Sequence, residues 1–270
     1  MSAQIQPSRT PASTTEQTDD EALIRRFLDE VASAQLDEWL PARPSRILDL
    51  SPQSAHLVAL MVSRGHHVVH AESRGADKDA VRPRIAAPQG ALARLATVCG
   101  EVRQLDWLAD ACLDAVVAEC GMLSDALAAE LTVEDLFRVL RPGGRLLLCV
   151  DSLVSGLARL ADLGRWAELA DVPAADVVLV EEADGRVSRC FWPEELSGML
   201  HSAGFTLEWI RPRTVMSQQT IVNALRGHPG QLSSLVTTEV ALSRRRQGES
   251  VGAQLIASAM RPLDPNPGQA

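Results

Sequence analysis

The chain has 270 residues, 46% of them hydrophobic and 23% charged, which excludes disorder of the whole chain and suffices for a real core in one large domain or two small ones. No apolar run approaches the ~18 residues of a membrane span, and no basic-then-apolar leader is visible at the N-terminus, so a cytoplasmic protein is expected. Twenty-six basic against 35 acidic residues give a net charge of −9, which repels nucleic acid on average.

Residues 1–18 are mostly Ser, Thr, Pro and Gln and read as a disordered tail. Asp19 and Asp20 then cap a helix with apolar Leu23, Phe27 and Val31 at helical spacing, ending before Pro41. An alternation follows: a strand at 47–50, a helix at 54–64 stopped by Gly65, and a strand at 68–72. It continues with a helix at 89–98, a strand at 101–105 and a strand at 114–119. A helix at 132–140 is expected to open on a capping box of Thr132 and Asp135, and Pro142-Gly143-Gly144 to turn into a strand at 145–150. Strands alternating with helices at this spacing predict an α/β fold with a doubly wound, Rossmann-like, seven-stranded and mostly parallel sheet, helices on both faces.

After Asp151 the rhythm changes. A helix at 153–169 precedes strands at 177–180 and 187–191 with the hairpin signal Asp184-Gly185 between them. Pro193 starts a helix that Gly204 ends, a strand covers 205–210, helices lie near 217–226 and 231–246, and a last strand covers 253–260. The expected organisation is one domain over 19–260, with lid insertions near 151–192 and 211–250 and a loose tail at 261–270.

The side chains that could carry other chemistry are few. Cys99, Cys112, Cys120, Cys149 and Cys190 have neither zinc nor disulfide spacing and suit a reducing compartment. Lys78, the only lysine, sits in a polar stretch unsuited to Schiff-base chemistry, and Arg244 to Arg246 read as a solvated helix face. His66, His67 and His70 resemble a metal cluster, but His67 and His70 point to opposite sides of a strand, so no metal is expected. His56 reads as a packing or surface residue, and His201 lies far from the sheet edge where chemistry belongs.

That edge is where the first strand–helix–strand unit places two acids. Asp49 lies near the end of the first strand and Glu72 ends the second, at the carboxyl edge where doubly wound folds bind ligands. An acid there is placed to accept hydrogen bonds from a ribose diol. The run from Arg46-Ile-Leu-Asp49 to Ala71-Glu72 resembles the cofactor-binding start of class I S-adenosylmethionine-dependent methyltransferases. Leu140-Arg-Pro-Gly-Gly144, Phe191-Trp-Pro-Glu-Glu195 and Ser202-Ala-Gly-Phe205 resemble later motifs of that family, in register over about residues 20–260. The resemblance implies S-adenosylmethionine as cofactor. It implies cofactor contacts at Asp49, at Ser51 and Gln53 in the loop, at Glu72, at Asp106 and Trp107 after the third strand, and at Glu119 ending the fourth.

The chain departs from the family at the loop, where Ser51, Gln53 and Ala55 replace three glycines. Non-glycine residues kept at positive φ would cost ~1–3 kcal/mol and weaken the cofactor accordingly. The first functional expectation is therefore methyl transfer to a small-molecule acceptor, with Asp151 and Ser152 near the substrate and no catalytic base assigned. The alternative is a non-catalytic protein of the same fold, acting as partner or regulator through a second chain or a second copy of itself. A nicotinamide oxidoreductase is excluded by the missing Gly-x-Gly-x-x-Gly.

Overall fold

A computed structural model describes residues 14–51, 54–73, 85–119, 121–126, 128–181 and 185–264. Its strands, in chain order, are β1 (Arg46–Asp49), β2 (His67–Ser73), β3 (Leu95–Gly100), β4 (Leu113–Ala118), β5 (Leu140–Asp151), β6 (Val178–Glu181), β7 (Val187–Cys190), β8 (Thr206–Arg213) and β9 (Gln254–Met260). Seven of them form one sheet in the order β3-β2-β1-β4-β5-β9-β8, while β6 and β7 pair as a separate hairpin. Strands β1 to β5 run parallel, and β9 lies antiparallel between β5 and β8.

The central parallel strands β1, β4 and β5 are apolar on both sides because both faces are covered. Ile47, Val68, Ala115, Val117 and Leu147 face α1 (Thr14–Trp39) and α2 (Ala55–Ser63), where they meet Leu36, Trp39, Leu57 and Met61. The alternate residues Leu48, Val116, Leu146 and Leu148 face the other way. Three further helices come next in chain order: the one-turn α3 (Gln89–Leu92), α4 (Ala129–Val139) and α5 (Leu153–Asp162). Helices α6 (Trp166–Asp171), α7 (Pro193–Ser202), α8 (Gln218–Gly227) and α9 (Leu232–Arg245) complete the set. Helices α4 and α7 pack Val133, Leu136 and Leu200 on the second face, and α8 and α9 bury Ile221 and Val240 against Phe27 and Val31 of α1. Burying each such side chain contributes roughly 1.5–3 kcal/mol.

Because the β1–α2–β2 and β4–α4–β5 crossovers cover opposite faces, the switch point falls between β1 and β4. The segment after β5 does not extend the sheet. Helices α5 and α6 with the β6–β7 hairpin make a small cluster around Leu153, Leu160, Val180 and Cys190, and Phe191 bridges to Ser152 at the end of β5.

Several boundaries differ from the sequence reading. Helix α1 begins at Thr14, before the expected Asp19–Asp20 cap, while residues 1–13 lie outside those described. The third strand is Leu95–Gly100, not 101–105: the expected helix at 89–98 shrinks to one turn, because Leu95, Thr97 and Cys99 pair in register with Val68, His70 and Glu72. Thr132 lies inside α4, its hydroxyl bonded to the carbonyl oxygens of Arg103 and Ala128, and Asp135 accepts from the Leu105 amide, so the two form no capping box. The predicted helix at 153–169 breaks in two at Gly164, which sits at φ +68. Asp184 and residues 265–270 are outside the described residues. Cys149 and Cys190 are buried, and Cys99 and Cys112 are half-buried.

Candidate functional site

The carboxyl ends of β1, β2 and β4 bring three acids to one face of the sheet. Asp49 is the register partner of His70 in the parallel β1–β2 pair, and Glu72, two residues further on, points the same way. The imidazole lies between the two carboxylates, with Nδ1 2.6 Å from Asp49 Oδ2 and Nε2 3.0 Å from Glu72 Oε1. Asp49 and His70 are buried and Glu72 is 9% exposed. Burial alone would push the His70 imidazole down, but the hydrogen bonds and charges of Asp49 and Glu72 outweigh it and hold it above its ordinary value. An imidazolium has an N–H for each carboxylate, whereas a neutral imidazole has one.

The loop after β1 joins the same set. Asp49 Oδ1 accepts the Ser51 amide at 3.3 Å, and the Ser51 hydroxyl accepts the amide of Glu119 at 3.1 Å. Ser51 and Ser54 are buried, and Ala55 packs against the core under α2. Among the described residues the non-glycine positions at positive φ are Ala111 and Thr214. The strain expected of the glycine replacements is therefore absent at Ser51 and Ala55, and the Ser51 side chain turns toward β4. Gln53, with Pro52, lies outside the described residues.

Glu119 does not face solvent. Arg213, at the end of β8, donates to it through Nη1 at 2.5 Å and Nη2 at 2.9 Å, and through Nε to Gln35 Oε1 of α1 at 2.6 Å. The pair is buried on both sides, at 4% and 1% side-chain exposure. It forms the floor of a cleft of about 600 Å³ over the carboxyl ends of β4 and β5. One face of α1, carrying Glu21, Arg25, Leu28, Asp29 and Ala32 at helical spacing, makes one wall. His56 and Leu57 from the first turn of α2, Gly121 after β4, Asp151, and Arg186 and Ser188 from the hairpin also line the cleft.

At the far end Asp151 Oδ2 accepts from Arg159 Nη2 and from the Ser188 hydroxyl, each at 3.0 Å. Asp151 thus lines the cleft, as the sequence expects, whereas the Ser152 hydroxyl is turned to the Gly252 carbonyl oxygen. His56, expected to be a packing or surface residue, lines the cleft with Nε2 3.9 Å from Asp29 Oδ1.

The structure thus brings Asp49, Ser51, Glu72 and Glu119 into one hydrogen-bonded set. It does not bring Asp106 and Trp107 into it. Asp106 is exposed, and Trp107 donates from Nε1 to the Glu101 carbonyl oxygen at 3.2 Å and packs on the core of the opposite sheet face. They follow β3 by a longer loop than expected, because that strand ends at Gly100. Sequence reasoning missed His70 and Arg213. The first has a readable signal, a histidine two residues before an acid on a strand beside one ending in Asp49. The second has none, since β8 lies three strands from β4. Among the described residues, no group of three His, Cys, Asp or Glu side chains could hold a metal ion.

No protein-family model and no curated protein matches the sequence. Solved structures do. A Burkholderia thailandensis 1,6-didemethyltoxoflavin-N1-methyltransferase, solved with 1,6-didemethyltoxoflavin and S-adenosylhomocysteine, superposes with a TM-score of 0.54 at 17% identity, over 95% of this chain and 94% of that one. A S-adenosylmethionine-dependent methyltransferase of Thermotoga maritima gives 0.55 at 15% identity, over 92% and 96%. A methyltransferase of Haloferax volcanii, solved with the Trm112 activator, gives 0.56 at 13% identity, over 92% and 95%. The chain has the Rossmann-like fold of the S-adenosylmethionine-dependent methyltransferases.

Proposed function

We propose that the protein transfers a methyl group from S-adenosylmethionine to a small-molecule acceptor. The observation that carries this reading is the cleft of about 600 Å³ at the carboxyl edge, beside the switch point and walled by α1. Its volume lies in the range of small-ligand sites and its position is where doubly wound folds bind ligands. Glu119, in the floor of the cleft, connects it to the hydrogen-bonded set of Asp49, Ser51 and Glu72, and that set fits the cofactor: Ser51 has turned its side chain away, and Glu72 Oε2 has no protein partner among the described residues, leaving it to accept from a ribose diol.

Glu72 would hold the ribose, and Asp49, Ser51, Gln53 and Glu119 would border the amino-acid end, beside the amides that open α2. Asp106 and Trp107 would reach the adenine only across the loop that follows β3. When bound, S-adenosylmethionine supplies an electrophilic sulfonium methyl. The chain's part is to orient the acceptor between α1 and the Asp151–Arg159–Ser188 network and to exclude water, and orientation of this kind supplies much of a methyl transfer's acceleration. The net charge of −9 disfavours a nucleic-acid acceptor.

Thermal unfolding with saturating S-adenosylmethionine or S-adenosylhomocysteine tests the reading. At ~100 times the dissociation constant a ligand adds about 2.7 kcal/mol, a rise of roughly 5–10 °C for a chain of this size. No rise with either ligand overturns it and leaves the non-catalytic partner or regulator.

A further inference from the structure

The Asp49–His70–Glu72 array lies at the edge that the proposed cofactor would use, yet no step of methyl transfer calls for a histidine there. We propose that His70 is the positioning residue of this edge. By bridging two buried carboxylates it fixes Glu72 so that Oε2 alone is offered to a ribose diol, and it ties that offer to its own charge. The inference rests on the S-adenosylmethionine reading and adds a residue to it.

The geometry carries the argument. Two carboxylates within 2.6 Å and 3.0 Å of one ring need two N–H donors, and only the imidazolium has them. Once the ring is neutral, one carboxylate faces a lone pair at hydrogen-bond distance in a buried site, and the partner that can move is Glu72, at the strand end with 11% side-chain exposure against 0% for Asp49. Its carboxylate then turns away, and the acceptor oxygen loses its direction.

Among the described residues, the surroundings bring no other counter-charge to the ring. On β3, Thr97 is in register with His70 and Cys99 with Glu72. Helix α2 packs Leu57, Val58, Met61 and Val62 on this face, and its titratable residue His56 lies toward Asp29 instead. Glu119, beyond Ser51, is matched by Arg213. The upward displacement of His70 by Asp49 and Glu72 agrees with this picture.

The test is isothermal titration of the full chain with S-adenosylhomocysteine and with its 2′,3′-dideoxy analogue, between about pH 6 and about pH 8.5. For the unaltered protein, affinity for S-adenosylhomocysteine is expected to fall at least roughly tenfold across that range, the scale of a hydrogen bond to a charged acceptor. Affinity for the dideoxy analogue, which has no diol to present, is expected to stay level. His70→Gln, checked for native circular dichroism, should bind S-adenosylhomocysteine more weakly and without that pH slope.

A level profile for the unaltered protein, equal slopes for the two ligands, or a His70→Gln slope like that of the parent overturns the inference while leaving the cofactor reading intact. Absence of S-adenosylhomocysteine binding at every pH overturns both. If His70→Gln does not fold, the comparison of the two ligands on the unaltered protein still decides.

Discussion

Removing the guanidinium of Arg213 would leave Glu119 buried with no counter-charge among the described residues, and would strip Gln35 Oε1 of its donor. Breaking a buried pair from one side costs about 3–5 kcal/mol, so Arg213→Met is expected to lose that much in urea unfolding. The double variant Glu119→Met with Arg213→Met is expected to recover most of the loss, because desolvation then penalises neither partner. Equal losses in the single and double variants would show that the arginine stabilises through packing and not through charge. At this scale the sequence was half legible. Asp49 and Glu72 could be placed from strand ends, because a strand's last residue has a defined position, whereas Ser51 and Glu119 came only through the family resemblance. His70 and Arg213 act through partners on other strands, and pairing between strands is not written in local pattern.

Glycine shows how an element's context decides what a substitution does. Gly156 lies inside α5, where a Cβ would stand 2.7 Å from Cys190 Sγ and 3.0 Å from Cys190 Cβ on the hairpin. Gly198, inside α7, has nothing within 4 Å of the same atom. In both helices alanine gains up to ~1 kcal/mol of helix propensity. Gly198→Ala should therefore raise the melting temperature, while Gly156→Ala should lower it, since overpacking costs typically 1–3 kcal/mol and Cys190 is fixed in β7. Parallel shifts in the two variants would show that the α5–hairpin contact yields freely.

The elements themselves were readable where periodicity was long, as in α1, α9 and β9, and misread where two patterns competed. Residues 89–98 carry enough alanine and leucine to suit a helix, and the parallel register with β2 claims Leu95 to Cys99 for a strand instead. Thr132 and Asp135 have capping-box spacing, but α4 already starts at Ala129, so both side chains turn to the loop that follows β3 and tie it down. Local signals fail here because tertiary partners satisfy the same groups at less cost.

Across the whole molecule, the sheet was the most legible feature, because apolar strands alternating with helices leave few alternatives, and its charge distribution now predicts how stability follows pH. His70 is held above the ordinary imidazole value of 6.5, so its contribution is complete below that pH and is lost as pH climbs through its raised folded value. His66 behaves oppositely. Burial lowers its imidazole from 6.5, so the unfolded chain takes up a proton before the folded one, and stability falls as pH drops below 6.5. Glu208, where Arg145 and Ser258 outweigh the effect of burial, is lowered from 4.5 and adds a further loss only below that pH.

The two histidines therefore bracket an optimum near neutrality, each limb no steeper than about 1.4 kcal/mol per pH unit. Urea midpoints measured at about pH 5, 6.5 and 8.5 should be highest at the middle value. His70→Gln should flatten the alkaline limb and leave the acid one, and His66→Gln should do the reverse. An alkaline fall that survives His70→Gln would mean that groups other than His70 produce it.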